Sequence, residues 1–122
     1  MKGIKAYQTT SVETAVDAAE PYKLTAMLFD ALVKNIYLAK VSHQNEDWVR
    51  KSDVVTKAEA IAVMLASTLN DEAAPELSSN LRLMYDYIVN SLTEFMVTGD
   101  LELVDSSLKV ARELKAGWDE IG

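Results

Sequence analysis

Cysteine is absent from the 122 residues, which excludes a disulfide framework and any thiolate chemistry and fits a reducing compartment. Only four glycines are present and they are scattered, so a glycine-rich phosphate-binding loop cannot form. A single histidine, His43, excludes a di-iron carboxylate bundle, which needs two inward-facing Glu-x-x-His motifs. No apolar run reaches the length of a membrane span, and the opening MKGIKAYQTT lacks the apolar core of a signal peptide. Positive charge is also scarce. Twelve Lys and Arg against nineteen Asp and Glu leave a net charge of −7. Nucleic-acid binding by counterion release needs clustered cations, and none occur; an anionic lipid surface would repel this chain on average. The chain is therefore expected to stay in the cytoplasm.

What is present is apolar residue at helical spacing. With 49% hydrophobic and 25% charged residues the composition is that of a folded soluble chain, not a disordered one. A chain this long can bury roughly two-thirds of its unfolded surface. After a loose arm carrying Tyr7, Thr10 and Glu13 stand at capping-box spacing before a short helix striped by Val12, Ala15, Val16 and Ala19. Pro21 suits a first helical turn. Leu24, Met27, Leu28, Ala31, Leu32, Ile36 and Ala39 then form a band broad enough to touch two neighbours.

The polar run from Ser42 to Asp47 breaks that pattern. A second helix is expected over Asp47 to Leu69, with Val55, Ala58, Ala62, Leu65 and Leu69 inward and Val54, Ile61 and Met64 beside them. Pro75 opens a third helix, Glu76 to Thr98, packed through Leu77, Leu81, Met84, Ile88, Leu92 and Phe95 and flanked by Tyr85, Val89 and Met96. Gly99 as a stop and Asp100 as an N-cap introduce a fourth, which buries Val104, Leu108, Ala111, Leu114, Trp118 and Ile121. No alternating pattern of period two and no Asn-Gly hairpin occur. The expectation is an all-α chain: an antiparallel up-down four-helix bundle with a short additional N-terminal helix. It forms one helical domain over 1–122, with 1–20 as arm and short helix and 21–122 as the bundle.

Chemistry is hard to find. His43 stands at a helix end beside Glu46 and Asp47, acidic neighbours that disfavour a phosphoryl group, and reads as a surface or C-capping residue. Glu46, Asp47, Asp71 and Glu72 fall in loops and read as solvated charge. No Ser-His-Asp set is recognisable. The chain is expected to be no enzyme, with no catalytic residue, no metal and no cofactor. What remains is surplus apolar surface. The second and third helices each carry a stripe beyond what a four-helix core needs. Either it packs under the N-terminal helix and widens the core, or it lines a groove for a partner helix, where Met64, Met84 and Met96 would adapt to varied shapes.

Several pieces, in order, resemble one family. They are Ala6-Tyr7, Ser11-Val12-Glu13 with Ala15, and Pro21-x-x-Leu24-x-x-Met27-Leu28-Phe29-Asp30. Lys57-Ala58 follows, then Asn80-Leu81-x-x-Met84-Tyr85-Asp86-Tyr87-Ile88 with Leu92, and Trp118 one turn before Ile121. Together they resemble the flagellin-specific secretion chaperones of bacterial flagella, the FliS family. Two positions depart from it: Ala31 where the family usually has glycine, and Ala74-Pro75 where a glycine-rich loop is common. Both stiffen the backbone.

The resemblance implies a five-helix, mainly antiparallel bundle in the cytoplasm. It would bind the disordered C-terminal segment of flagellin in apolar grooves, prevent premature polymerisation, and hold the subunit for the type III export apparatus. No nucleic acid, membrane insertion or nucleotide is implied, and a weak homodimer is allowed for. From the flanking stripes, Val54, Ile61, Met64, Tyr85 and Val89 are expected to line the groove, with Tyr7 and Val12 covering part of it when no client is bound. A generic helical adaptor and a homo-oligomeric structural bundle are the alternatives.

Overall fold

The computed structural model describes the backbone of residues 21–121 and the side chains of residues 22–120. The expected N-terminal helix, with Tyr7 and Val12, lies outside them. Among the described residues the chain is all-helical, with four helices and no strand: α1 (Pro21–Gln44), α2 (Trp48–Ser67), α3 (Pro75–Thr98) and α4 (Leu101–Ile121). None is long and apolar enough to cross a membrane.

Each boundary has a local cause. The Asp47 carboxylate accepts the Arg50 N–H at 3.1 Å and starts α2. Glu46 before it takes the left-handed conformation that the tight turn demands, φ 56°. The loop before α3 closes on itself: Asn70 Oδ1 accepts from the backbone of Glu72 and Ala73, and the Ser78 hydroxyl donates to the Asn70 carbonyl at 3.1 Å. Gly99 ends α3 at φ 69°, its N–H donating to the Phe95 carbonyl at 2.8 Å. Asp100 then accepts the Glu102 N–H.

α1 packs on α2 and α4, and α3 packs on the same two, which closes a ring of four helices. Direction follows from the pairs that meet. Tyr22 and Trp118 exchange hydrogen bonds at one end of the α1–α4 seam, while Lys40 meets Asp105 at 2.7 Å further along, so these helices run in opposite senses. Lys51 near the start of α2 likewise meets Phe95 near the end of α3. The core is the expected one through Leu32, Ile36, Val55, Ala58, Ala62, Leu65, Ile88, Leu92, Phe95, Val104, Leu108 and Ala111.

Two inward assignments are corrected. Met27 and Leu77 are exposed, Leu77 by 58%, while Phe29 and Tyr85 are buried in their place. The reason in α3 is Ser78. Its hydroxyl turns inward and donates to the Asn70 carbonyl; with Ser78 on the inner face Leu77 stands outside and Tyr85, seven residues on, lies in the core.

His43 stands in the last turn of α1, the helix end expected of it, but as a half-buried ring and not a surface one. α1 runs past Ala39 to Gln44, and the His43 ring wedges 5.2 Å from Trp48 and 5.1 Å from Phe95, with Nδ1 buried and unbonded. Burial first, and the Lys51 charge second, lower its pKa below the ordinary value of 6.5. Lys51 is itself buried. Its ammonium donates to the Phe95 carbonyl at 3.3 Å and lies 4.3 Å over that ring, a cationic stop at the C-terminal end of α3.

Candidate functional site

At the opposite end of the bundle the four helices do not close. The first turns of α1, the loop after α2, the first half of α3 and the last turns of α4 surround a cleft of about 530 Å³. That volume lies within the ordinary range for ligand sites, about 300–1,000 Å³. Phe29 and Leu114 are its buried floor, with Tyr85 beside them. Leu24 stands on the α1 side, Leu69 and Ala73 on the loop side, and Leu77, Leu81 and Met84 on α3.

The fourth wall is an aromatic brace. The Trp118 indole N–H donates to the Tyr22 carbonyl at 2.9 Å, the Tyr22 hydroxyl donates back to the Trp118 carbonyl at 3.3 Å, and the two rings stack at 5.2 Å. Phe29 leans on the same indole at 6.1 Å. This brace holds the ends of α1 and α4 at a fixed separation, so the cleft is pre-formed along that side.

Electrostatically the cleft is quiet. Glu113 is its one charged lining residue. Burial pushes the Tyr85 hydroxyl up to about 12, so it stays protonated, and it bonds to no described residue. Among the described residues no group of three His, Asp or Glu side chains could hold a metal. The carboxylates read as loop charge are exposed, though Asp47 also caps α2 and Asp71 grips the Arg82 guanidinium at 2.9 Å. The cleft thus offers apolar area with a few hydrogen-bonding edges: Thr25, Thr68, Asn70 and Tyr85.

The five residues expected to line one groove are not brought together. Tyr85 lines the cleft. Val54 is buried in the core, so it has no surface to offer. Val89, one turn before the Thr93 that bonds Glu59 of α2, sits half-buried on the α2 side of α3. Ile61 stands two residues from Glu59, about 200° around the helix, and so lies on the opposite flank, toward α1. Met64 shares that flank and is 51% exposed. The α2 stripe and the α3 stripe face different seams. Leu77, Leu81 and Met84, read from sequence as core, are the cleft residues that the reading missed as site. Their side chains follow the helical ladder correctly. What the ladder cannot reveal is that the fourth side of this layer is open.

Comparison with known proteins agrees with the resemblance. The model of the family described as "Flagellar protein FliS" matches residues 3–122. The chain is similar to the flagellar secretion chaperone FliS of Vibrio cholerae, 30% identical over 122 residues, covering 99% of this chain and 90% of that protein. It is similar to the flagellar secretion chaperone FliSB of Pseudomonas aeruginosa, 31% identical, with coverage of 99% and 96%. It also resembles flagellar secretion chaperone FliS of Bacillus subtilis, 32% identical, with 94% and 82% covered.

Proposed function

The chain belongs to the FliS family of flagellar secretion chaperones, and from that premise we propose that it is a cytoplasmic export chaperone for flagellin. Its client is the C-terminal segment of flagellin, disordered when free, and the primary dock is the cleft between the ends of α1, α3 and α4. The observation that carries this reading is the cleft itself: pre-formed, apolar, with one charged lining residue. Folding a disordered segment on binding costs about 2–5 kcal/mol or more. Each client Leu, Ile or Phe fully buried returns about 1.5–3 kcal/mol, so a few such anchors suffice.

A segment that becomes helical extends beyond one cleft. The exposed Met64 with Ile61 on the α1–α2 edge, and Val89 on the α2–α3 edge, are its further contacts. Held in this way, the polymerising surface of flagellin is masked and the subunit stays ready for the export apparatus. Pro21 precedes the cleft-lining Leu24 by one turn. Tyr7 and Val12 in that segment are the cover, an intramolecular stand-in for client side chains, on a single bundle domain with an additional N-terminal helix.

The test is co-elution with full-length flagellin and with flagellin lacking its C-terminal segment. Complex formation with the first alone is expected. Equal retention of both, or of neither, contradicts the reading and returns the bundle to an adaptor for another helix. Deleting residues 1–18 is expected to tighten client binding; unchanged or weaker binding removes the cover.

A further inference from the structure

The α3–α4 edge, remote from the α1–α2 edge, exposes the apolar residues Leu83 and Tyr87, which the client reading does not use. On α3, Asn80, Leu83, Tyr87, Asn90 and Glu94 recur at spacings of three and four and form one seam. On α4, Leu103, Ser106, Val110, Glu113 and Gly117 do the same. The Tyr87 hydroxyl bonds the Ser106 hydroxyl at 3.0 Å and fixes the register, which sets Leu83 level with Val110. Leu83 is 66% exposed and Tyr87 46%. From Asn80 to Glu94 the strip runs about 21 Å, four turns of helix. A Cβ built on Gly117 would meet nothing within 4 Å, so that end is open.

Charge frames the strip with one sign. Glu76 and Glu113 stand at one end and Glu94 and Glu102 at the other. All four are exposed, and none forms an ion pair with a described residue. Against them stands Lys109, since Arg82 is held by Asp71. We propose that this edge docks an amphipathic helix whose apolar stripe is flanked by lysine or arginine, supplied by a partner protein. The chain's own expected N-terminal helix does not fit that description: residues 10–20 hold Glu13, Asp17 and Glu20 and no cation. The partner's apolar stripe would cover Leu83, Tyr87 and Val110, and its cations would meet the four glutamates at the rim. Rim charges of this kind set on-rate and orientation more than affinity. A helix seated over Leu83, Tyr87 and Val110 would lie beside the cleft, which shares Glu113 and Gly117 with the strip.

The experiment uses the full chain and two synthetic helical peptides with the same leucine stripe, one flanked by lysine and the other by glutamate, read by fluorescence anisotropy. The lysine peptide is expected to bind one-to-one and the glutamate peptide not to bind. Leu83→Ser, at an exposed site that leaves the fold intact, is expected to weaken the lysine peptide about tenfold or more. Glu94→Lys with Glu113→Lys is expected to shift preference toward the glutamate peptide. Leu77→Asp, in the cleft, is expected to leave lysine-peptide binding unchanged, which separates this edge from the client site. The proposal is overturned if neither peptide binds, if both bind equally, or if Leu83→Ser leaves the lysine peptide unaffected. Sedimentation that reveals a dimer abolished by Leu83→Ser would also overturn it, because the occupant would then be a second copy of the chain.

Discussion

Gly99 and His43 offer a test of how the closed end of the bundle is held. Gly99 lies at φ 69°, and a Cβ there would stand 2.8 Å from His43 Cε1 and 3.3 Å from Nε2. Two costs follow for Gly99→Ala. The left-handed conformation disfavours a residue with a Cβ by about 1–2 kcal/mol. The His43 ring, set between Trp48 and Phe95, must give way, and forcing a methyl group into packed surroundings adds about 1–3 kcal/mol. A stiffer unfolded chain returns about 0.4–1 kcal/mol. The net destabilisation is about 2–4 kcal/mol.

In a His43→Ala background the clash is gone, and the same substitution should cost about 1 kcal/mol or less. Urea unfolding of the four proteins, followed by tryptophan fluorescence, gives the coupling energy directly. A value of about 1–3 kcal/mol is expected. Coupling within about 0.5 kcal/mol of zero would refute the wedge, since independent sites add to that precision.

The same corner titrates. His43 has its pKa lowered in the folded state, so the neutral ring is the form the fold favours. Stability is full above the ordinary value of 6.5 and is lost as pH falls from there through the folded value; the single histidine makes this readable by NMR alongside urea midpoints. A folded His43 pKa above 6.5 contradicts it. Burial lowers the pKa of Lys51, so its charge is a net cost that its hydrogen bond and ring contacts do not fully offset. Lys51→Met, which keeps the stem, is expected to leave thermal stability unchanged or raised, whereas Lys51→Ala should cost about 2 kcal/mol or more through lost packing. Tyr85 should ionise only near pH 12 in an absorbance titration.

Much of the bundle is legible in sequence because its signals are local. Asp47 as a cap, Pro75 as a start, Gly99 as a stop and Asp100 as the next cap each act within a turn of their own position. The inward ladder of α2 from Val55 to Leu65 and that of α4 from Val104 to Leu114 are equally self-contained. The register of α3 is not. Leu77 outranks Ser78 on hydrophobicity, yet the serine is the inward residue, its hydroxyl bonded to the Asn70 carbonyl in a loop eight residues away.

The site was less legible for a related reason. Its lining comes from α1, the loop after α2, α3 and α4, so no single ladder contains it. The stripes on α2 and α3 looked like two walls of one groove because spacing within a helix says nothing about which neighbour that helix turns toward. The Glu59–Thr93 bond supplies that information, and it sends Ile61 and Met64 to a different seam from Val89. His43 was misread in the same way: its neighbours in sequence are polar, while its neighbours in space are Trp48, Phe95 and Gly99.

The cleft as the flagellin dock is tested most directly by titration calorimetry of the full chain with the C-terminal segment of its own flagellin, beside Leu77→Asp. Leu77 lines the cleft yet is exposed, so the substitution removes apolar lining and adds charge without opening the core. The expected result is a one-to-one complex with a large negative heat-capacity change, the mark of apolar burial coupled to folding, and a loss of about tenfold or more in affinity for Leu77→Asp. Wild-type binding with Leu77→Asp indistinguishable from it would place the client elsewhere on the bundle, and no heat at several temperatures would contradict the chaperone reading itself.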